Sequence, residues 1–294
     1  MQASIVIVSK DRKQELEKTL LILEKLINFS IHEVLVFLDG CSDGSELLKS
    51  QFKWVIWDGS EKSIGASGAR NALYPKAKGT YLIGLDDDAH PLQTNFIDLT
   101  QTIFKKYPTA GILAFQEIKG IFNSDTEALF HKKLIVDEYY CNDFIGCGFS
   151  IKNEVYKATN GFPVWVDIYG EESCVSIEVI AKGFDILYTN RIAVNHRVNM
   201  ELRKKSGANY FRFGKQLKNV TYYYLVYYPF PVMKIAKLFW HNFKKYATND
   251  WSYFKIYFQT IVIIVLYLPQ LIKFRKPVDL KVLKKLKELS SPKF

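Results

Sequence analysis

Four cysteines stand in the 294 residues, Cys41, Cys141, Cys147 and Cys174, and no two of them have a metal-site spacing. That excludes zinc-ribbon and disulfide-framework classes, and the thiols read as buried side chains in a reducing compartment. The N-terminus lacks a basic segment ahead of an apolar core, and its apolar run, residues 5–8, is short. No signal peptide is expected, and the fold is expected to begin with the chain. An unbroken apolar run of the ~20 residues needed to span a bilayer is missing too. Residues 253–272 come nearest, but Lys255, Gln259, Pro269 and Gln270 interrupt them and leave 261–268 as the unbroken part. An interfacial or core helix is expected there. Acidic residues are scarce towards the C-terminus: residues 200–294 hold four Asp/Glu against 19 Lys/Arg, a net +15, while residues 1–199 carry −5.

What is present is an alternation. Residues 3–9, Ala-Ser-Ile-Val-Ile-Val-Ser, suit a strand buried on both faces of a parallel sheet. Leu16, Leu20, Leu23, Leu26 and Ile27 recur at helical spacing and predict a helix over 12–28. A second strand over 33–38 closes in Asp39-Gly40-Cys41-Ser42-Asp43-Gly44, whose glycines and short polar side chains favour a tight loop. A helix through Leu47 and Leu48, a third strand over 53–57, a helical piece over 66–77 and a fourth strand over 80–85 follow. Such alternation predicts right-handed crossovers, helices on both sheet faces and a ligand crevice at the carboxyl ends of the strands.

The fourth strand runs into Ile83-Gly84-Leu85-Asp86-Asp87-Asp88-Ala89-His90-Pro91. Three adjacent carboxylates repel one another, and a divalent cation bridging them to a phosphate relieves the repulsion. A solvated acidic turn is the plainer alternative. Acids mark the other strand ends as well: Asp11 beside Arg12 after the first, Asp39 and Asp43 after the second, Asp58 after the third. Each alone reads as a cap or loop residue; four together imply one polar crevice. Gly65-Ala66-Ser67-Gly68-Ala69-Arg70-Asn71 lacks the G-x-G-x-x-G spacing and does not follow the first strand, which excludes a dinucleotide-binding dehydrogenase. Its small residues let a helix N-terminus approach a ligand closely, and Arg70 with that terminus could meet a phosphate. A nucleotidyltransferase would carry a glycine-rich basic loop after the first strand, where Ser9-Lys10-Asp11-Arg12 stands instead.

In their order, residues 5–9, the Asp39–Gly44 loop, Gly65-Ala66-Ser67-Gly68-Ala69-Arg70-Asn71-Ala72 and Leu85-Asp86-Asp87-Asp88-Ala89-His90-Pro91 resemble the family 2 glycosyltransferases of GT-A fold. The resemblance extends through Gly146-Cys147-Gly148-Phe149-Ser150-Ile151, Gly161-Phe162-Pro163, Gly170-Glu171-Glu172 and Asn195-His196-Arg197. It implies an α/β GT-A domain over 1–199, with a mixed, mostly parallel sheet flanked by helices, ahead of a helical appendage over 200–294. It further implies an enzyme that moves a hexosyl or deoxyhexosyl group, with inversion, from a nucleotide-sugar donor to a glycan or lipid-linked acceptor, aided by a divalent metal, Mn2+ or Mg2+. The family's base-binding acid falls on Asp39, although Leu38 stands where a first acid often precedes it. Donor contacts fall on Ser9, Asp11, Arg12, Asp58, Gly65, Arg70, Asp86 and Asp87. The metal falls on Asp88 and Asp86, with His196 as a further ligand. Inverting transfer needs a carboxylate to take the acceptor's proton; the resemblance gives that role to Glu172, with Glu171 as runner-up and Cys174 where the family has a later acid. Glutamates in a first helical turn are also favoured by the macrodipole without any chemistry. A non-catalytic surface-binding protein is the remaining reading.

Residues 115–145 lack clean periodicity, and Tyr139, Tyr140 and Asp143 read as packing residues or as a lining for a sugar site. Residues 219–245 are crowded with aromatics and broken by Pro229 and Pro231, and 281–289 form a short basic helix with Val282, Leu283, Leu286 and Leu289 on one side. Aromatic rings suit the headgroup level and basic side chains an anionic leaflet. An anionic membrane surface is therefore expected as a partner, with the enzyme peripheral on the cytoplasmic face, and nucleic acid is not. Packing on the catalytic domain or a homodimer partner is the alternative.

Overall fold

The computed structural model describes residues 1–199, 207 and 209–293. The predicted alternation is realised as β1 (Ala3–Ser9), α1 (Lys13–Leu26), β2 (His32–Asp39), α2 (Leu48–Gln51), β3 (Ile56–Ser60), α3 (Gly65–Leu73) and β4 (Tyr81–Asp86). Then come β5 (Ala89–Pro91), α4 (Phe96–Lys106), β6 (Ala110–Lys119), α5 (Asp125–Leu129), β7 (Glu138–Cys141), β8 (Gly148–Lys152), α6 (Asn153–Ala158), α7 (Glu171–Ala181) and β9 (Asp185–His196). The appendage contributes α8 (Tyr210–Tyr227), α9 (Val232–Asn242), α10 (Trp251–Leu271) and α11 (Leu280–Glu288).

One mixed sheet runs β3-β2-β1-β4-β8-β6-β9-β5, with β7 also on β9. The first four strands are parallel, β8 is antiparallel to β4 and β6, and β6 and β9 are parallel. Parallel strands buried on both faces need apolar residues on both, and β1 and β2 supply them: Ile5, Ile7, Val34 and Val36 pack under α1, Val6, Leu35 and Phe37 under α3. The third strand starts three residues later than the sequence suggests. Phe52 and Val55 are buried as anchors of a turn after α2, so the apolar run there is a loop's foothold. Asp58 consequently lies inside β3 and pairs with Lys76, away from the expected strand end.

The appendage shares a core with the sheet domain. Trp165, Cys174 and Ile177 pack with Tyr222, Val226, Tyr227 and Ile264. Along α8, Lys215 and Lys218 pair with Asp167, and the Tyr227 hydroxyl donates to Glu178 at 2.7 Å. The basic helix α11 lays Val282 and Leu286 between this core and the one beneath the sheet, and Lys285 pairs with Asp185 at 2.6 Å. For 253–272, where an interfacial or core helix is expected, one face packs in the core and the others are exposed. Helix α10 buries Tyr257, Thr260, Ile264 and Leu271, and Gly214 of α8 lets it come close, since a Cβ there would lie 3.0 Å from Ile256. Its other faces expose Val262, Val265 and Leu266. With its following turn this helix is long and apolar enough to cross a membrane by length and composition, with 22% of its most apolar window buried.

Candidate active site

Strand ends assemble the acidic cluster. Strand β4 ends at Asp86, the chain turns through Asp87 and Asp88, and β5 pairs back on β9 with Ala89 opposite His196. That register brings an oxygen of Asp86, an oxygen of Asp88 and a ring nitrogen of His196 within 4.8 Å of one another. One Asp88 oxygen, Oδ1, is buried and accepts no hydrogen bond from the described residues, although His196 Nε2 lies 3.3 Å away. Its other oxygen accepts from Arg12 Nη2 at 2.6 Å. Burial would raise the Asp88 carboxyl, but His196 and Arg12 outweigh it and hold it at about 2. Burial likewise opposes charge on His196, and its contacts with Asp88 and Glu117 prevail, lifting the imidazole to about 9. Glu117 on β6 accepts from His196 Nδ1 at 2.5 Å, so it fixes the ring and turns Nε2 to the cluster. A buried carboxylate oxygen with no donor among the described residues, a second carboxylate and a nitrogen oriented from behind fit a divalent cation.

Asp87 turns the other way. Ser9 Oγ donates to it at 2.7 Å and Arg12 Nε lies 3.4 Å off, while burial pushes its carboxyl up to about 7. Through Ser9 it ties β4 to β1. Arg197 fastens the same turn: its N–H donates to the Asp88 carbonyl at 2.9 Å, Nε to Glu15 at 2.8 Å and Nη2 to Thr19 at 2.6 Å.

Asp39 is buried and accepts from Ile64 N at 2.6 Å, Gly65 N at 3.1 Å and Ser63 Oγ at 2.7 Å, so it closes the loop that leads into α3. Gly40, at φ 63°, is required there, because a Cβ would lie 2.4 Å from Ser63 N. Gly65 packs on Asp167, whose carbonyl would lie 2.9 Å from a Cβ. Asp11 sits at the crevice rim and accepts from Ser42 N at 2.6 Å. Arg70 needs a correction. It stands in the last turn of α3, away from the helix N-terminus, and is buried among carboxylates: Nη2 lies 2.9 Å from Asp86, Nη1 3.0 Å from Glu171 and 3.5 Å from Glu172. Its Nη1 and Nη2 face these three carboxylates.

The glutamate pair begins where a left-handed turn, Tyr169 at φ 70° and Gly170 at φ 99°, opens α7. Glu171 is 3% exposed and faces Arg70; burial and its neighbour Glu172 push its carboxyl up to about 8. Glu172 is 20% exposed at the side chain and lines a cavity of about 570 Å³ together with Tyr169, Arg212 and Gln216. Gly146 makes room for the pair, since a Cβ there would lie 2.5 Å from Arg70 Nη2 and 2.7 Å from Glu172 Oε1. Asp143 at the cavity edge accepts from Ser173 at 2.5 Å and Ser176 at 2.8 Å, and burial raises its carboxyl to about 6. Tyr139 packs on Tyr188, and Tyr140 lies edge-on to Tyr107. Asn219 of α8 donates to the carbonyls of Ile168 at 2.7 Å and Tyr169 at 3.0 Å, so the appendage holds the turn that places Glu172.

The sequence matches the model described as Glycosyl transferase family 2 over residues 4–156, more than half of its length. The chain belongs to that family. This family 2 glycosyltransferase is 29% identical over 141 residues to the UDP-Glc:alpha-D-GlcNAc-diphosphoundecaprenol beta-1,3-glucosyltransferase WfaP of Escherichia coli. The match covers 46% of the chain and 52% of the relative, so the chain spans about half the length of the curated protein it matches. Among solved structures it resembles the mannosyltransferase PcManGT from Pyrobaculum calidifontis in complex with GDP-Man and Mn2+, with a TM-score of 0.58 at 14% identity, over 90% of this chain and 75% of that one. It also resembles S. aureus TarS 1–349 in complex with UDP-GlcNAc, with a TM-score of 0.56 at 13% identity, over 85% and 74%. These likenesses bear out the GT-A α/β fold, and the family match bears out the resemblance read from the motifs.

Proposed function

We propose that the protein transfers a sugar from a nucleotide-sugar donor to a hydroxyl of a lipid-linked acceptor, with inversion and with help from a divalent ion. One observation carries this reading: Arg70 joins the Asp86, Asp88 and His196 cluster directly to the Glu171-Glu172 pair, so a cation-competent donor site and a half-open carboxylate face one crevice. In transfer, Glu172 accepts the proton of the acceptor hydroxyl as its oxygen bonds to the anomeric carbon. The bond from that carbon to the nucleoside diphosphate breaks on the opposite face. Arg70 keeps Glu171 and Asp86 paired, while Ser9, Asp11, Arg12 and Asp39 form the donor side of the crevice. Asp86, Asp88 and His196 would hold Mn2+ or Mg2+, which supplies a positive charge that stabilises the departing diphosphate. UDP- and GDP-sugars incubated with manganese should be hydrolysed slowly without acceptor. Asp88→Ala or EDTA should lower that rate by about 10³ or more. Undiminished hydrolysis in both would defeat the metal assignment, and no hydrolysis by the wild type would defeat the transferase reading.

The same reading places the enzyme on an anionic membrane at its cytoplasmic face. The +15 charge of residues 200–294 and the exposed apolar residues of α9 and α10, among them Met233, Trp240, Val265 and Leu266, supply the charge and the wedge. With one face of α10 buried on α8, and α8 fastened to Asp167, the helix lies along the surface. Flotation with anionic liposomes should be strong at low salt and weaken at high salt. No flotation at low salt removes the membrane from the account, and flotation indifferent to salt replaces surface attraction with insertion of α10.

A further inference from the structure

A second cavity, of about 800 Å³, lies between α8, α9 and α11. Tyr223, Tyr224, Tyr228 and Phe230 line one wall, and Leu283 and Leu286 of α11 another. Three exposed lysines, Lys234, Lys284 and Lys287, also line it. Among the described residues no carboxylate pairs with Lys234 or Lys287, and Lys284 reaches Glu288 at 3.9 Å. An apolar chamber edged by unneutralised ammonium groups is complementary to an amphiphile with an anionic head.

This chamber is continuous with the acceptor side of the active site. It shares Asp143, Gly170, Ser173 and Val220 with the cavity that Glu172 lines. Phe230 in its lining is 78% exposed, and Val232 and Met233, which follow in the chain, are exposed as well. A ligand running through both cavities therefore meets the proposed general base in one and, in the other, cations set among aromatic and aliphatic walls. The donor's own diphosphate has its place elsewhere, at Asp86 and Asp88, neither of which lines either cavity.

We propose that the chamber is the acceptor's diphosphate-lipid subsite, in which Lys234, Lys284 and Lys287 hold the diphosphate of a lipid-diphosphate-linked sugar and the tyrosine wall holds the first part of its hydrocarbon chain. The assignment rests on the transferase reading above and names the acceptor class for it. Farnesyl diphosphate serves as the probe, titrated calorimetrically into the full chain in EDTA, which removes any divalent ion that would draw a diphosphate to Asp86 and Asp88. The wild type should bind it at least tenfold more tightly than the doubly substituted Lys234→Ala/Lys287→Ala protein. It should also prefer it at least tenfold over inorganic diphosphate, which lacks the chain, and over farnesol, which lacks the charge. Both lysines are exposed, so the doubly substituted protein should melt at the wild-type temperature. Equal affinity of the two proteins, no binding by the wild type, or inorganic diphosphate binding as tightly as the farnesyl compound would each overturn the subsite. The transferase reading fails by a different result, the absence of nucleotide-sugar hydrolysis, and the titration reads the same either way.

Discussion

On one side of Arg70, Asp86 closes β4, Asp88 follows it and His196 closes β9, each fixed by sheet pairing to within a residue. On the other side, Glu171 and Glu172 ride on a helix whose start hangs on a left-handed turn, and the turn is held by Asn219 from a helix some fifty residues further along the chain. In the proposed mechanism the donor side is thus a property of the sheet, and the acceptor side is a property of how the appendage docks. A sheet-borne site tolerates change elsewhere, because moving one strand end means breaking a ladder; a turn-borne site is adjusted by whatever packs on it. Donor chemistry and acceptor specificity can therefore be altered separately.

The sharpest way to break that division is at the glutamate pair. Glu172→Gln should lower kcat by about 10³ while leaving manganese-dependent UDP binding within about twofold, because in the proposed mechanism the lost group acts on the acceptor's proton in the transition state. Glu171→Gln should cost less than tenfold, since its carboxyl already faces Arg70 from a buried position. Steady-state kinetics beside calorimetric titration of UDP with manganese measure both. A reversed pattern would exchange the roles of the two residues, and a loss of nucleotide binding in Glu172→Gln would show that the two sides are not separable.

The same division decides what the sequence made legible. Strand ends carry their function in consecutive residues, so the acidic triplet and the histidine after the last long strand pointed to a cluster that the fold does assemble. Glu117 escaped notice, although Gln116 and Glu117 break the otherwise apolar run of β6, and a charge in a strand buried on both faces signals a partner. Asp58 was misplaced because Phe52 and Val55, buried under a turn, have the composition of a strand. Sequence spacing puts Arg70 near a glycine-rich helix start and so suggests a phosphate; its carboxylate partners Glu171 and Glu172 lie about a hundred positions away and meet it through tertiary packing alone. The aromatic crowding of residues 219–245 was visible, but its partition between a shared core and an open chamber depends on where α11 lands.

A smaller effect probes the dependence of the acceptor side on the appendage. Asn219 is buried, and its amide gives two donors to the carbonyls of Ile168 and Tyr169, just ahead of Gly170. Asn219→Ala leaves those carbonyls without their donor inside the core, a loss of about 1–3 kcal/mol in stability. Tyr169 is held at φ 70°, where a side chain is strained, so the turn is the first part to relax once its tether is gone. Glu172 sits three residues along and would lose its placement against the acceptor. Because misplacement by about 1 Å lowers rates by up to about 10², kcat with acceptor should fall by about tenfold. Donor binding has no reason to change, since Asp86, Asp88 and His196 rest on β4 and β9, and manganese-dependent UDP affinity should remain at the wild-type value. Thermal unfolding, kcat and UDP titration on the one substituted protein give all three readings. A variant that loses UDP affinity in proportion to kcat would show that Asn219 supports the site as a whole, and one that keeps full kcat despite its lower stability would free the acceptor side from the appendage.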